Sequence, residues 1–154
     1  MKGIYLLVMR LDADLADLAI GWLGQYTFHA GYYLYVGSAF GSGGIAARLA
    51  HHERLAKAHP HWHIDYLRPY VALVESWGVA TAARLEACWA RQLAAVPQVQ
   101  IPAPGFGASD SVASSHLLYC GERPPRHLLA EALMNCFLQA HTTEFTLELR
   151  DYFA

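Results

Sequence analysis

Three side-chain types that could converge on an anion stand close together in the stretch GYYLYVGSAFGSGGIAARLAHH, residues 31–52. They are the phenol of Tyr35, the guanidinium of Arg48 and the imidazole of His52. Ile45, Arg48, Leu49 and His52 fall at helical offsets of three, four and seven, so Arg48 and His52 share a helix face one turn apart. In the preceding run, Tyr33 and Tyr35 share one strand face while Leu34 and Val36 take the other. Arginine grips anions through a fixed fork of donors and stays charged at any working pH. Histidine accepts or relays a proton near neutrality.

A second concentration lies just downstream. Five of the nine histidines fall between His51 and His63, amid Arg48, Arg54, Lys57 and Arg68 and against only Glu53 and Asp65. In an extended segment, His59, His61, His63 and Asp65 would share one face, a weak zinc pattern because no second element completes it. Ser109 or Ser115 with His116 and Asp110 could suggest a hydrolytic triad, but the chain has no G-x-S-x-G elbow. Likewise GSAFGSGG lacks the Gly-Lys-Ser/Thr ending of a phosphate-binding loop.

These residues need a scaffold, and the composition supplies one. At 154 residues and 55% hydrophobic, the chain is expected to close a single core over residues 1–154. GIYLLVMRL (3–11) reads as a strand followed by an acidic DADLAD turn, and IGWL, YTFHAG and YYLYVGS as two or three more strands. Gly41 to Gly44 loosen the chain before a helix expected over 45–57, and HWHIDYLRPYVALVESWG reads as extended, ending at Gly78. ATAARLEACWARQLAAV (80–96) reads as a helix stopped by Pro97, SHLLYC (115–120) as a strand, and the segment from Pro125 to about Ala140 as a helix. The tail TTEFTLELRDYF is compatible with strand or helix. This order predicts a small α/β (α+β) sandwich with a mainly antiparallel sheet flanked by helices.

Cys88, Cys120 and Cys136 are odd in number and widely spaced, suggesting neither a disulfide framework nor a four-cysteine zinc site. A reducing cytoplasm is the expected setting. No apolar run approaches the roughly 20 residues that span a bilayer, so no membrane association is expected. A net charge of −2 argues against a generic nucleic-acid coat.

Gly3-Ile4-Tyr5 is literally GIY, and Tyr35-Val36-Gly37 stands where a second signature, YIG, would stand. With Arg48 and His52 on the next helix, then Glu86 and Pro97, the chain resembles the GIY-YIG nuclease superfamily across residues 3–97. The blocks GYYLYVGSA, HWHIDYL and FGASDS…SHLLY look like an uncharacterised branch, found alone or attached to DNA-repair glycosylases. Residues 98–154 would then be that branch's own loop, strand and C-terminal helix. Ser111, Val112 and Ala113 stand where such relatives usually carry cysteines.

The resemblance implies a metal-dependent DNA endonuclease, possibly in repair or on structured DNA. Glu86 would hold Mg²⁺ (or Mn²⁺), and Arg48 would grip the phosphate. Tyr5 or Tyr35 would take a proton from water, its pKa lowered from about 10 by metal and arginine, with His52 as relay. Gly37, Ser38, Arg54, Lys57 and Arg68 are the expected substrate contacts, and His63 paired with Asp65, together with Asp110 and His116, the expected supports. DNA binding through Arg48, Arg54, Lys57 and Arg68 should fall steeply with salt. The alternative is a catalytically silent module whose cleft binds nucleic acid or a protein partner such as a DNA-repair protein.

Overall fold

The structure, a computed structural model, describes residues 1–55, 59–108 and 113–152. Its centre is strand β1 (Gly3–Leu11), which pairs antiparallel with β4 (Gly31–Ala39) on one side and β5 (Ala72–Ala80) on the other. β7 (Leu117–Cys120) and the two-residue β6 (Val99–Gln100) extend the sheet beyond β4, and β8 (Thr146–Asp151) extends it beyond β5. All these pairings are antiparallel, in the order β6-β7-β4-β1-β5-β8. The β2–β3 hairpin (Leu15–Ala19 and Gln25–Phe28) forms a separate two-stranded sheet.

The apolar run of β1 reflects its central place. Ile4, Leu6 and Val8 enter one core, while Tyr5, Leu7 and Met9 enter another on the opposite face, as two-residue alternation requires. Helices α3 (Glu86–Ala94) and α4 (Arg126–Gln139) cover the first face through Trp89, Leu93, Leu129 and Phe137. Helices α1 (Gly44–Glu53) and α2 (His63–Leu67), with the β2–β3 hairpin, cover the second through Leu49, Ile64, Leu67 and Phe28. The molecule is thus a mixed α+β sandwich with helices on both faces of a six-stranded antiparallel sheet. Among the described residues, no helix is long and apolar enough to cross a membrane.

Several local expectations are corrected. The acidic turn is shorter than DADLAD because Leu15–Ala19 forms β2, and IGWL is the turn region between β2 and β3 rather than a strand. The block HWHIDYLRPY is not extended: His63–Leu67 is helical and Arg68–Tyr70 forms a 3₁₀ turn. Asp65, at the third position of α2, accepts the Trp62 backbone N–H at 3.0 Å, so a carboxylate reaching back to the cap outweighs the β-branched and aromatic character of the segment. Gly78 lies inside β5 rather than at its end. α3 starts at Glu86, because the Thr81 hydroxyl captures the Ala83 N–H at 3.1 Å and holds the preceding residues in a turn. The tail is strand.

Cysteine chemistry is also corrected. Cys88 on α3 and Cys136 on α4 are joined in a disulfide, leaving Cys120 free and buried. Their sequence separation of 48 concealed a proximity that arises only when the two helices pack side by side.

Candidate active site

Tyr5 is flanked by glycine on both neighbouring strands, Gly37 of β4 and Gly78 of β5. A Cβ at Gly37 would fall within the Tyr5 ring, and one at Gly78 would press on Ile45 at 3.1 Å. Glycine therefore makes the groove in which the Tyr5 ring lies across β4. This is the physical reason a tyrosine at the third position of β1 requires a glycine in Tyr-Val-Gly. Gly43 and Gly44 have φ of 85° and 62°, a left-handed entry that turns the chain from β4 into α1. The Ile45 N–H bonds the Met1 carbonyl at 2.9 Å, tying the helix start to the head of β1.

The outcome is a cleft of about 550 Å³ lined by Tyr5, Tyr35, Gly37, Ser38, Arg48 and Glu86, with His61, Trp62, His63 and His116 completing the wall. Strand β7 pairs only with Tyr32–Tyr35 of β4, so residues 36–39 run past its end. The first residue of α3, a helix on the opposite face, lines the same cleft as Arg48. His52 is the exception to the expected lining set. It is fully buried behind the wall, and its Nε2 is 2.7 Å from the Tyr5 hydroxyl. The Tyr5 ring lies 6.3 Å from that of Tyr35 and 5.2 Å from that of His52.

Arg48, one of the two influences expected to lower the phenols, acts against burial at both tyrosines. Burial, reinforced by Tyr35, pushes Tyr5 well above its ordinary value, against the opposing pull of Arg48. Burial likewise pushes Tyr35 up to about 12. One guanidinium at the mouth does not offset removal from water. Both tyrosines are therefore protonated at neutral pH.

The Arg48 guanidinium sits 4.1 Å from the centroid of the Trp62 ring, a cation–π contact that orients it. Trp62 is in turn fixed by Asp65. One Asp65 oxygen accepts the backbone N–H groups of His61 and Trp62 at 2.9 and 3.0 Å, and the other lies 2.8 Å from His51 Nε2. Asp65 thus pairs with His51, not with His63, because helical rather than extended geometry turns His63 away from it. A ligand atom from each of His51, His52 and Asp65 falls within one 4.8 Å cluster, a different set from the weak zinc pattern of His59, His61, His63 and Asp65. Burial pushes the Asp65 carboxyl up, but the hydrogen bonds from Trp62, His61 and His51 prevail and leave it below its ordinary 3.8.

A stability prediction follows from this network. The depressed carboxyl contributes stability that is present above about pH 4 and lost as pH falls through its folded value. Asp65→Asn should cost about 1–3 kcal/mol at pH 7, because an amide cannot accept all three bonds. Urea titrations at pH 7 and pH 3 should show the difference narrowing in acid; a constant difference would remove the carboxylate's role.

Other assignments shift with the fold. Arg68 is not a substrate contact: it is buried and donates to the carbonyls of His52 and Val71, the former near the end of α1 where carbonyls lack helical partners. Arg54 is exposed and within 3.2 Å of His51 Nδ1, and it does not line the cleft. Lys57 and Asp110 lie outside the described residues, as does Ser109. His116 does support the cleft: its Nδ1 bonds the Val36 carbonyl at 3.0 Å, which fixes the proton on that nitrogen. Burial, countered by the Val36 bond and Glu86, lowers its pKa.

Sequence reasoning missed Trp62, His51, Gly78 and Gly107. Trp62 stands inside the conspicuous HWHIDYL block, which was the available signal. The role of Gly78 had none, because only strand register places it beside Tyr5.

Glu86 is the one carboxylate among the described lining residues, and its Oε2 is buried with no hydrogen-bond partner among them. Such an orphan acceptor facing a polar cleft fits a hard divalent cation that keeps most of its own waters. A window of this sort, built from β1, β4, α1 and the start of α3, defines an α+β domain with a polar cleft at the sheet edge.

The chain matches the family described as Domain of unknown function DUF123 over residues 4–138, and it belongs to that family. The match takes in every described residue of the cleft. No curated protein and no solved structure matches the chain.

Proposed function

We propose that this chain is a GIY-YIG-type endonuclease that hydrolyses phosphodiester bonds in DNA, with Mg²⁺ or Mn²⁺ as cofactor. The observation that carries this reading is the meeting of Tyr5, Tyr35, Arg48 and Glu86 in one cleft, with His52 bonded to Tyr5 behind it. They come from β1, β4, α1 and α3, and packing alone would not require those four polar groups to share a cavity.

The chemistry follows from the geometry. Arg48, held by Trp62, binds a non-bridging phosphate oxygen. Tyr5, protonated at rest, works as one half of a relay: its oxygen accepts a proton from the attacking water as its own proton passes to His52 Nε2. The hydroxide forms the new P–O bond, the bond to the leaving 3′-oxygen breaks, and that oxygen takes up a proton from solvent. Asp65, whose carboxylate lies in the cluster with His52, offsets the charge that His52 gains. A divalent cation held by Glu86 would supply charge neutralisation at the phosphate and the departing oxygen. A cytoplasmic location, with DNA and Mg²⁺ at hand, accords with this reading, while the Cys88–Cys136 disulfide, a bond uncommon in a reducing compartment, stands against it.

A panel of plasmid, single-stranded, flapped and junction DNA, incubated with Mg²⁺ or Mn²⁺, tests it. Product with either metal and none in chelator is expected; no product on any substrate would reject it. Two phosphate contacts, from Arg48 and from Arg54, which is exposed outside the cleft, would make binding fall only about tenfold between 50 and 200 mM salt. This is shallower than four cations would give, because Arg68 is buried. Salt-independent binding would instead favour the silent, partner-binding module, to which the raised tyrosine pKa values and net charge of −2 lend support.

A further inference from the structure

His63, the first residue of α2, lines the same cleft as Tyr35 and Glu86 but takes no part in the relay above. Its Nδ1 is met at 2.8 Å by the backbone N–H of Gly107. An amide N–H can only donate, so Nδ1 must hold its lone pair outward and the neutral ring must carry its proton on Nε2. Burial also lowers the pKa of this imidazole, which keeps it neutral at pH 7.

The turn that delivers the Gly107 N–H is closely determined. Gly105 and Gly107 have φ of 85° and 66°. A Cβ at Gly107 would lie 3.2 Å from the Tyr35 ring and 3.3 Å from His116 Cβ, so the backbone must approach without a side chain. Backbone bonds from Gly105 to Ser114 and from His116 to Phe106, each 2.8 Å, pin the turn on both sides. Phe106 packs edge-on against the His63 ring at 5.5 Å. The imidazole is thus held in tautomer and orientation by the chain itself. His116 cannot substitute for it, since its proton is on the nitrogen bonded to Val36.

We propose that His63 is a substrate-contacting residue whose Nε2–H donates to a non-bridging oxygen of the phosphodiester beside Arg48. This rests on the nuclease reading for its catalytic consequence, but not for the contact. The two neutral replacements separate a donor from a buttress. His63→Asn can keep an acceptor for the Gly107 N–H while losing the reach of Nε2; His63→Gln places an amide N–H near the Nε2 position. A donor to an anionic oxygen is worth about 10- to 100-fold. We expect kcat/KM for DNA cleavage to fall by that factor in His63→Asn and to stay within a few-fold of wild type in His63→Gln. The reverse order would overturn the proposal in favour of a purely structural role.

Imidazole ¹⁵N NMR of the wild-type protein, with the dinucleotide TpT as probe, gives a readout independent of cutting. The Nε2–H tautomer and a shift of that resonance on adding TpT are expected. An Nδ1–H tautomer, or a TpT titration that leaves His63 unmoved, would overturn the contact. A protein that cuts no DNA yet shows the TpT shift would reject the nuclease while retaining His63 as a phosphodiester donor.

Discussion

Glu86→Gln should abolish DNA cleavage while leaving the fold and DNA binding nearly intact. Glutamine preserves the volume and the position at the first turn of α3, and removes the charge that suits the buried Oε2 to a divalent cation. Metal-ion stabilisation of developing charge is worth several kcal/mol. At about 1.4 kcal/mol per tenfold, the expected loss in kcat is on the order of a thousandfold or more. DNA affinity should be unchanged or slightly tighter, because a negative charge leaves the cleft. Arg48→Ala provides the contrast, since it removes a contact to the phosphate present before and during bond cleavage, and binding and turnover should fall together. Calorimetric Mn²⁺ binding completes the test. Equal Mn²⁺ affinity in wild type and Glu86→Gln, with cleavage intact, would remove Glu86 from the chemistry.

Tyr5→Phe should lower kcat by about 10² to 10⁴, the usual contribution of a positioned proton-transfer group. The ring that fills the groove over Gly37 is retained, so the folded structure should survive, destabilised by about 1 kcal/mol for the lost bond to His52. Tyr35→Phe should cost less, because the short bond to His52 belongs to Tyr5. The raised pKa of Tyr5 sets the pH behaviour: the phenol stays protonated throughout the neutral range, so kcat should show no step there from its ionisation. A pH–rate profile of both variants and wild type checks this. A Tyr35→Phe defect larger than that of Tyr5→Phe would exchange their roles.

Much of the scaffold was legible because its signals are local. The apolar run of β1, the alternation of tyrosines with Leu34 and Val36, the glycine-loosened entry to α1 and the proline-flanked α4 each follow from a few neighbouring residues. The spacing of Arg48 and His52 was enough to put them on one face of α1, as found. Where a side chain competed for the backbone, local reading failed: Asp65 turned an apparent strand into α2, and Thr81 delayed α3 to Glu86.

The sequence by itself therefore determined the residue types that could handle a phosphate and the strands and helices that carry them. Tertiary structure alone decided which of them meet. Register set Gly37 and Gly78 on either side of Tyr5; packing brought Glu86 of α3 into the cleft with Arg48 of α1; the fold of α2 gave Asp65 to His51 and buried Arg68 beneath α1. The physical reason is that side-chain alternation and helical spacing are set by bonds a few residues apart. Burial, tautomer and pKa depend instead on groups brought together from distant parts of the chain. His63 shows this most directly, for its proton is placed by the backbone of Gly107, 44 residues away.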